Sequence, residues 1–391
     1  MVKERFTNQK LPAIISKVMG KYLVAIEKCS DYKQVPEVFA RLKEKANLKE
    51  FEKKVSGKKV LVKPNILGPY SPDKAVTTHP ALVKEVVKWM QTAGAEVIVG
   101  DNGGLTGYAR NERSAKRSGI ISASLGSFQN IAQKAKEVEL DSKYFSKLTV
   151  SQAVLEADYI INLPKLKTHT LTLLTLGIKN MFGMLVGGSK SLVHNSAPQL
   201  ESFGEALVDI YQIRPPDLTI MDGVIGMDGN GPAHGRVRPI GYLLASENCP
   251  SLDLMVCEMV GVEPSRVHHL RISQERGLGA KNLAEIEILG EYQKIPRFKL
   301  PSTLARRSFL GFIVNRYVYR RVIESKLVLD REKCTGCKVC VEACPSGAME
   351  WKEDHPEINQ EKCIRCLCCS ELCTEGAWRT TGMMRFLRSN F

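Results

Sequence analysis

The chain has 391 residues, 43% of them hydrophobic and 25% charged, a balance that excludes a disordered or fibrous protein and supports a core divided among two or three domains. No apolar run approaches the roughly 18 residues of a membrane-spanning helix, and the opening residues lack the apolar stretch of a secretory signal, so a cytoplasmic protein is expected. The net charge of +14 is uneven: residues 294–326 carry nine Lys and Arg against a single acid, Glu324.

In chain order, KYLVAIEKC (21–29) reads as a strand, 34–50 as a helix and KKVLVKPNI (58–66) as a second strand. Over 80–93 the apolar residues Leu82, Val83, Val86, Val87 and Met90 recur at helical spacing, and Gly94 supplies a stop. AEVIVGDN (95–102) follows as a buried strand, which completes a parallel βαβ unit. Further strands over 157–165, 217–224 and 240–246 and helices over 151–156, 172–185, 199–213, 251–260 and 265–276 extend the pattern. The expected architecture is an α/β domain with a mainly parallel sheet over residues 1–293.

Ligands of such sheets collect beyond the carboxyl ends of the strands. Lys63 and Asn65 end one strand, Asp101 and Asn102 end another, and Lys165 and Lys167 follow a third. Asp222, Asp228, Asn230 and His234 belong to a glycine-rich loop expected over 222–235. Thr77, Thr78 and His79 stand before a helix, where hydroxyls and free N–H groups can receive an anion, or where Thr78 serves as a cap only. The apolar helical pattern within 163–184 is interrupted by Lys179 and Asn180. A lysine placed there either snorkels to water or meets a buried anion, and the second reading is preferred.

A small anionic ligand, a carboxylate or phosphate, is therefore expected. Lys63, Asn65, Thr78, His79, Lys165, Lys167, Asn180, Asp222, Asp228 and Asn230 are the candidate binding residues, with Lys179, His169 and His194 as candidate catalytic residues and the two histidines as proton donors. Neither a P-loop nor a dinucleotide fingerprint is present. The stretches VKPNI and TTHP, VGDNGG, LPKLKTH and GIKNMFG, His194 and DGVIGMDGNGPAHG resemble the domain-of-unknown-function 362 family over about residues 58–290. That resemblance implies a pocket built from these motifs and an associated iron–sulfur module, and it supplies no substrate.

Residues 294–326 form a basic connector with a helix expected over 303–323, in which Phe309, Phe312, Tyr317 and Tyr319 interleave with arginines. It is read first as a connector that packs its apolar side between domains. The second reading is an amphipathic helix on an anionic membrane surface, and the last is a nucleic-acid contact. The tail over 379–391 repeats the basic and apolar character.

Nine of the twelve cysteines fall between positions 334 and 373, which in a chain without a secretory signal argues for metal rather than disulfides. Cys334, Cys337, Cys340 and Cys344 are spaced C-x2-C-x2-C-x3-C, and Cys363, Cys366, Cys369 and Cys373 repeat that spacing. A shift of 29 residues lays KCTGCKVCVEACPSGAM (333–349) over KCIRCLCCSELCTEGAW (362–378). Three closely spaced thiolates wrap one 4Fe–4S cube, and the fourth reaches the other. Cys334, Cys337, Cys340 and Cys373 are thus assigned to one cluster, and Cys344, Cys363, Cys366 and Cys369 to the second. The pattern resembles the bacterial two-cluster ferredoxins over 327–378, a small α+β domain; the triple C-x2-C spacing serves zinc less well. Cys368, Cys29, Cys249 and Cys257 are read as buried thiols.

Together these features point to an iron–sulfur oxidoreductase that delivers electrons from two 4Fe–4S clusters to an anionic substrate, with a redox partner protein as their source. The alternative is a ferredoxin-like carrier or docking subunit without catalysis. A third reading makes Asp101, Asp222 and Asp228 metal ligands of a transferase. Whether a flavin or a further metal takes part is left open.

Overall fold

The computed structural model describes residues 17–18, 20–103, 108–301, 326–342, 344, 346–363, 369–370 and 373–381. The expected helix over 303–323, Gly104, Cys366, Cys368 and the tail beyond residue 381 lie outside the described residues. The N-terminal region is built on strands β1 (Lys21–Lys28), β2 (Lys59–Pro64), β3 (Glu96–Val99), β4 (Tyr159–Leu163), β5 (Lys165–His169), β6 (Leu218–Asp228), β7 (Arg236–Ser246) and β8 (Ile286–Leu289). Across the sheet the order is β8, β1, β7, β6, β4, β2, β3. Neighbours β6, β4, β2 and β3 run parallel, as do β8 and β1, while β7 is antiparallel to both β1 and β6. The sheet is mainly parallel, as expected.

Side chains alternate between the two faces, the period-two signature of a strand covered on both sides. Helices α1 (Val35–Lys45) and α2 (Pro80–Thr92) cover one face, with Phe39, Leu42, Leu82 and Met90 packed against Val60 and Val62. On the other face lie α3 (Leu176–Asn180), α4 (Ser189–Ser196), α5 (Leu200–Ile213), α6 (Cys249–Val260) and α7 (His268–Glu275), where Phe203, Leu207 and Met255 belong to the same core as Leu61. Full burial of each such aliphatic side chain contributes roughly 1.5–3 kcal/mol.

Two stretches depart from the sequence reading, and both carry site residues. The single helix expected over 172–185 is instead a short strand at Leu173–Leu174, the helix α3, and a 3-10 turn at Met181–Met184. Leu173 and Leu176 take positive φ of 69° and 52°, which interrupts a helix, and the buried Asp253 carboxylate accepts the Gly177 and Ile178 N–H groups at 2.7 and 2.9 Å, so the helix starts only there. The loop expected from residue 222 is strand as far as Asp228, because β7 pairs with it on either side of a bulge between Gly223 and Ile225, out to Asp228↔Arg236. On the other flank β5 pairs with it at Asp222↔Lys165 and Met227↔Lys167. Gly226 allows that approach, since a Cβ there would lie 2.6 Å from the Leu166 carbonyl oxygen.

The C-terminal region contains two antiparallel pairs, β9 (Lys326–Leu329) with β12 (Trp378–Thr381) and β10 (Met349–Lys352) with β11 (His355–Ile358), around Leu327, Met349 and Trp378. The 29-residue repeat is visible in its backbone. Asp330 N donates to Ala377 O and Asn359 N to Ala348 O, both at 2.7 Å, and each bond is the other's image under the shift.

Candidate functional site

The parallel strands β2 and β4 bring their carboxyl ends together, and the turn after β3 joins them. Lys63, at the end of β2, holds its Nζ 2.7 Å from Asp101 and donates to the Asn180 carbonyl at 2.6 Å; both charged side chains are buried. The second Asp101 oxygen accepts the Ile66 N–H at 2.7 Å. Opposite charges survive without water only when paired and hydrogen-bonded in this way. An amide chain runs alongside, from Asn65 Nδ2 to Asn180 Oδ1 at 3.0 Å and from Asn180 Nδ2 to Asn162 Oδ1 at 2.7 Å. Thr78 is not the helix cap: its hydroxyl accepts the Asn65 N–H at 2.8 Å and donates to the Leu163 carbonyl at 2.6 Å, while His79 caps α2 by accepting the Ala81 N–H on Nδ1.

A second network lies where β5 meets β6. Lys165 Nζ donates to Asp222 Oδ2 at 2.8 Å and to the Tyr32 hydroxyl at 2.6 Å, and Tyr32 donates to Asp222 Oδ1 at 2.9 Å. His79 gives its backbone N–H to Asp222 and stacks its ring on Tyr32 at 3.5 Å and 7°. Burial pulls the Lys165 ammonium pKa down against the pull of Asp222, and the same burial, then Asp222, pushes the Tyr32 phenol far up. His79 is brought down to about 4, first by burial.

The third group is a set of lysines and histidines carried by β5, α3, α4 and α7. Burial, then the charges of Lys179, Lys167, His194 and His269, holds His169 well below the usual histidine range. His194 is brought down to about 3 by burial, then by Lys179 and Lys190, and His269 to about 3 by burial, then by Lys179. Lys179 thus acts on all three histidines, Lys167 on His169, and Lys190 on His194. Lys179 and Lys190 each hold Nζ 5.8 Å from the centre of the Phe182 ring, and His194 meets that ring edge-on and stacks on Phe203. Lys190 donates to the Asn102 carbonyl and Lys167 to the Val76 carbonyl. His169 Nδ1 accepts the Leu171 and Thr172 N–H groups at 3.1 and 3.3 Å, so the neutral ring carries its proton on Nε2.

Several buried polar atoms carry no hydrogen bond among the described residues: both ring nitrogens of His269, Asn65 Oδ1, Thr77 Oγ1 and Thr175 Oγ1. Each such group costs about 1–3 kcal/mol unless something satisfies it. A group of this kind suits an oxyanion, whose oxygens accept from ammonium and imidazole groups.

Of the remaining candidates, Asp228 is engaged by Arg236, Arg238 and the Lys299 N–H, and Asn230 is exposed on the turn. Asp101, Asp222 and Asp228 each face a different cation, Lys63, Lys165 and the arginine pair, rather than a common centre. Sequence reasoning missed Tyr32, Asn162, Lys190, Asp253 and His269. Lys190 and His269 bear polar groups in helices that also turn apolar residues to the core, a signal that was available. Tyr32 and Asp253 gave none, because only long-range packing brings them in.

In the C-terminal module Cys334, Cys337, Cys340 and Cys373 line one cavity together with Trp351, Pro356 and Trp378. This is the set assigned to one cluster from spacing. The Ala377 N–H donates to Cys373 Sγ at 3.3 Å, the type of bond that steadies a cluster thiolate. The donor set and its apolar lining fit an iron–sulfur cluster. Cys344, Cys363 and Cys369 of the other set are also described.

An α/β domain with a buried polar site, joined to this cysteine module, defines an iron–sulfur protein. The profile described as a domain of unknown function, DUF362, matches residues 60–258, and one described as a 4Fe-4S dicluster domain matches residues 326–374. The chain belongs to the DUF362 family. A thylakoid-associated protein of Synechocystis sp. is 31% identical over 255 residues, covering 63% of this chain and 78% of that protein. The lactate racemase apoprotein from Thermoanaerobacterium thermosaccharolyticum superposes with a TM-score of 0.38 at 11% identity, over 61% of this chain and 56% of that one, a likeness too distant to bear on activity. Among the described residues no helix is long and apolar enough to cross a membrane.

Proposed function

We propose that the protein is an iron–sulfur oxidoreductase that reduces a small anionic substrate, a carboxylate or phosphate ester, held by these lysines and histidines. The observation that carries this reading is the gathering of the buried His169, His194 and His269 with Lys167, Lys179 and Lys190, in a chain that also holds the cysteine sets for two clusters. Two bound 4Fe–4S clusters would supply electrons one at a time, taken from a low-potential one-electron carrier protein. The lysines would bind and orient the anion. Its charge would raise the pKa values of His194 and His269, so that these two take up protons on binding and deliver them as the substrate gains two electrons, while His169, whose Nδ1 already accepts two N–H groups, donates from Nε2 to the anion. Two carrier molecules are oxidised for each substrate reduced by two electrons and two protons.

The test is reoxidation. Cluster-replete protein prepared without oxygen and reduced with dithionite is challenged with a panel of carboxylates and phosphate esters while the cluster absorbance is followed. The expected result is reoxidation by one class of anion, slowed at least tenfold in Lys179→Met and His169→Gln with iron content unchanged. Reoxidation by none of the panel leaves a ferredoxin-like carrier. The thylakoid association of the Synechocystis relative supports a further part of the proposal, contact between residues 303–323 and an anionic membrane surface, which sedimentation with anionic and neutral vesicles would test.

A further inference from the structure

The repeat that builds the C-terminal module is broken in its surroundings. Gly347 and Gly376 are equivalent under the 29-residue shift and take φ of 61° and 63°. A Cβ on Gly347 would meet nothing within 4 Å, whereas one on Gly376 would lie 3.3 Å from His234 Nδ1 of the α/β domain. On that same side His234 Nε2 donates to the Ser370 carbonyl at 3.0 Å, and the Tyr70 hydroxyl donates to the Cys373 carbonyl at 3.4 Å. Tyr70 is held in an apolar cluster with Val76 and Met227, and the Val76 carbonyl accepts the Lys167 ammonium at 2.5 Å. Contacts therefore lead without a break from a cluster cysteine through Tyr70 and Val76 to Lys167, one of the lysines beside the histidines.

We propose that Tyr70 and His234 are docking residues that turn the end of the module carrying Cys373 and Gly376 toward the α/β domain and leave the equivalent end, carrying Cys344 and Gly347, away from it. The site that Cys373 completes with Cys334, Cys337 and Cys340 is then the inner one, and the site that Cys344 serves the outer one. If the protein is the oxidoreductase proposed above, this order gives electron flow a direction: the carrier protein meets the outer site, and the inner site serves the lysines and histidines that hold the anion. The docking arrangement itself does not depend on that reading.

Hydrogen bonds and exposure to water set the potential of an iron–sulfur cluster. The test is a redox titration of the cluster-replete full chain followed by electron paramagnetic resonance, on Tyr70→Phe, His234→Ala and Gly347→Asn. The first removes one hydroxyl only, and asparagine tolerates the left-handed φ of position 347. Both docking variants are expected to shift the midpoint of the same single cluster, while Gly347→Asn shifts the other cluster or neither. The proposal is overturned if the docking variants leave both midpoints unchanged, if they move both together, or if Gly347→Asn moves the cluster that they move. No substrate is needed, so a chain that reduces nothing would still show the shift, and an unshifted titration would leave the reoxidation result standing.

Discussion

The Lys165 ammonium lies 2.8 Å from the Asp222 carboxylate, and neither side chain reaches water. Asp222 also receives the Tyr32 hydroxyl and the His79 N–H, so the pair ties β5, β6, and the approaches to α1 and α2 into one unit. Lys165→Met would leave a buried carboxylate without its cation. The expected cost is about 3–5 kcal/mol, against about 1 kcal/mol for Tyr32→Phe, read from denaturant midpoints at unchanged slope.

Acid should unfold the α/β domain sooner than its surface charges suggest. The folded-state pKa of His79 is about 4, and those of His194 and His269 are about 3, all below the ordinary 6.5. These groups bind protons in the unfolded chain first, so their contribution is full above pH 6.5 and falls as pH drops toward 3–4, by about 1.4 kcal/mol per pH unit for each histidine. Asp253, lifted to about 7 by burial, works in the opposite direction, since its folded form holds the proton and its contribution falls as pH rises from about 4 to 7. Three histidines outweigh one carboxyl, and thermal unfolding between pH 4 and 8 should show a net loss toward acid that His194→Asn reduces.

Anion binding should tighten over the same range. An anion beside His194 and His269 favours their protonated forms, so binding takes up protons and strengthens as pH falls. Calorimetric titration with inorganic phosphate at pH 6 and 8, in buffers of different ionisation enthalpy, would report that uptake. Lys179→Met is expected to weaken binding about tenfold or more.

Gly183 passes close against the buried ion pair. A Cβ there would stand 2.0 Å from Asp101 Oδ1 and 2.8 Å from Lys63 Nζ. Gly183→Ala therefore has to part the buried ion pair, with an expected loss above about 3 kcal/mol and failure to accumulate as soluble protein in the extreme. Gly187, which has open space around it, offers the contrast, because Gly187→Asn should cost little.

Cluster stoichiometry can be read by subtraction. Cys337→Ser and Cys363→Ser fall in different sets, so each should remove about half of the iron and sulfide measured on anaerobically purified protein, with the other half retaining a 4Fe–4S spectrum.

Much of the architecture was legible because its signals are local. The apolar spacing of Leu82, Val83, Val86, Val87 and Met90 announces α2, and the alternation through Val60, Leu61 and Val62 announces a strand covered on both faces. The cysteine repeat is legible for the same reason, since the ligand geometry is written into short intervals. Residues 172–185 misled the reading because their apolar content suits a helix, whereas a distant carboxylate, Asp253, and the strand partner of β5 decide what the backbone does. The site lysines were picked out as anomalies, yet only packing could divide them. Lys63 and Lys165 were found against carboxylates, and Lys167 and Lys179 beside the histidines.

The stretch from Leu163 to Met184 reaches every one of these groups in turn. Lys165 goes to Asp222, Lys167 to Val76, His169 and Lys179 to the group of His194 and His269, and Asn180 to Lys63. Four destinations on one short ribbon leave no slack for an added or missing residue, since any change in length would misplace everything downstream of it. Insertions among descendants of this chain should therefore avoid this ribbon, and a distant cousin could be picked out by the intervals between its lysines, histidine and asparagine after the surrounding apolar residues have drifted beyond recognition.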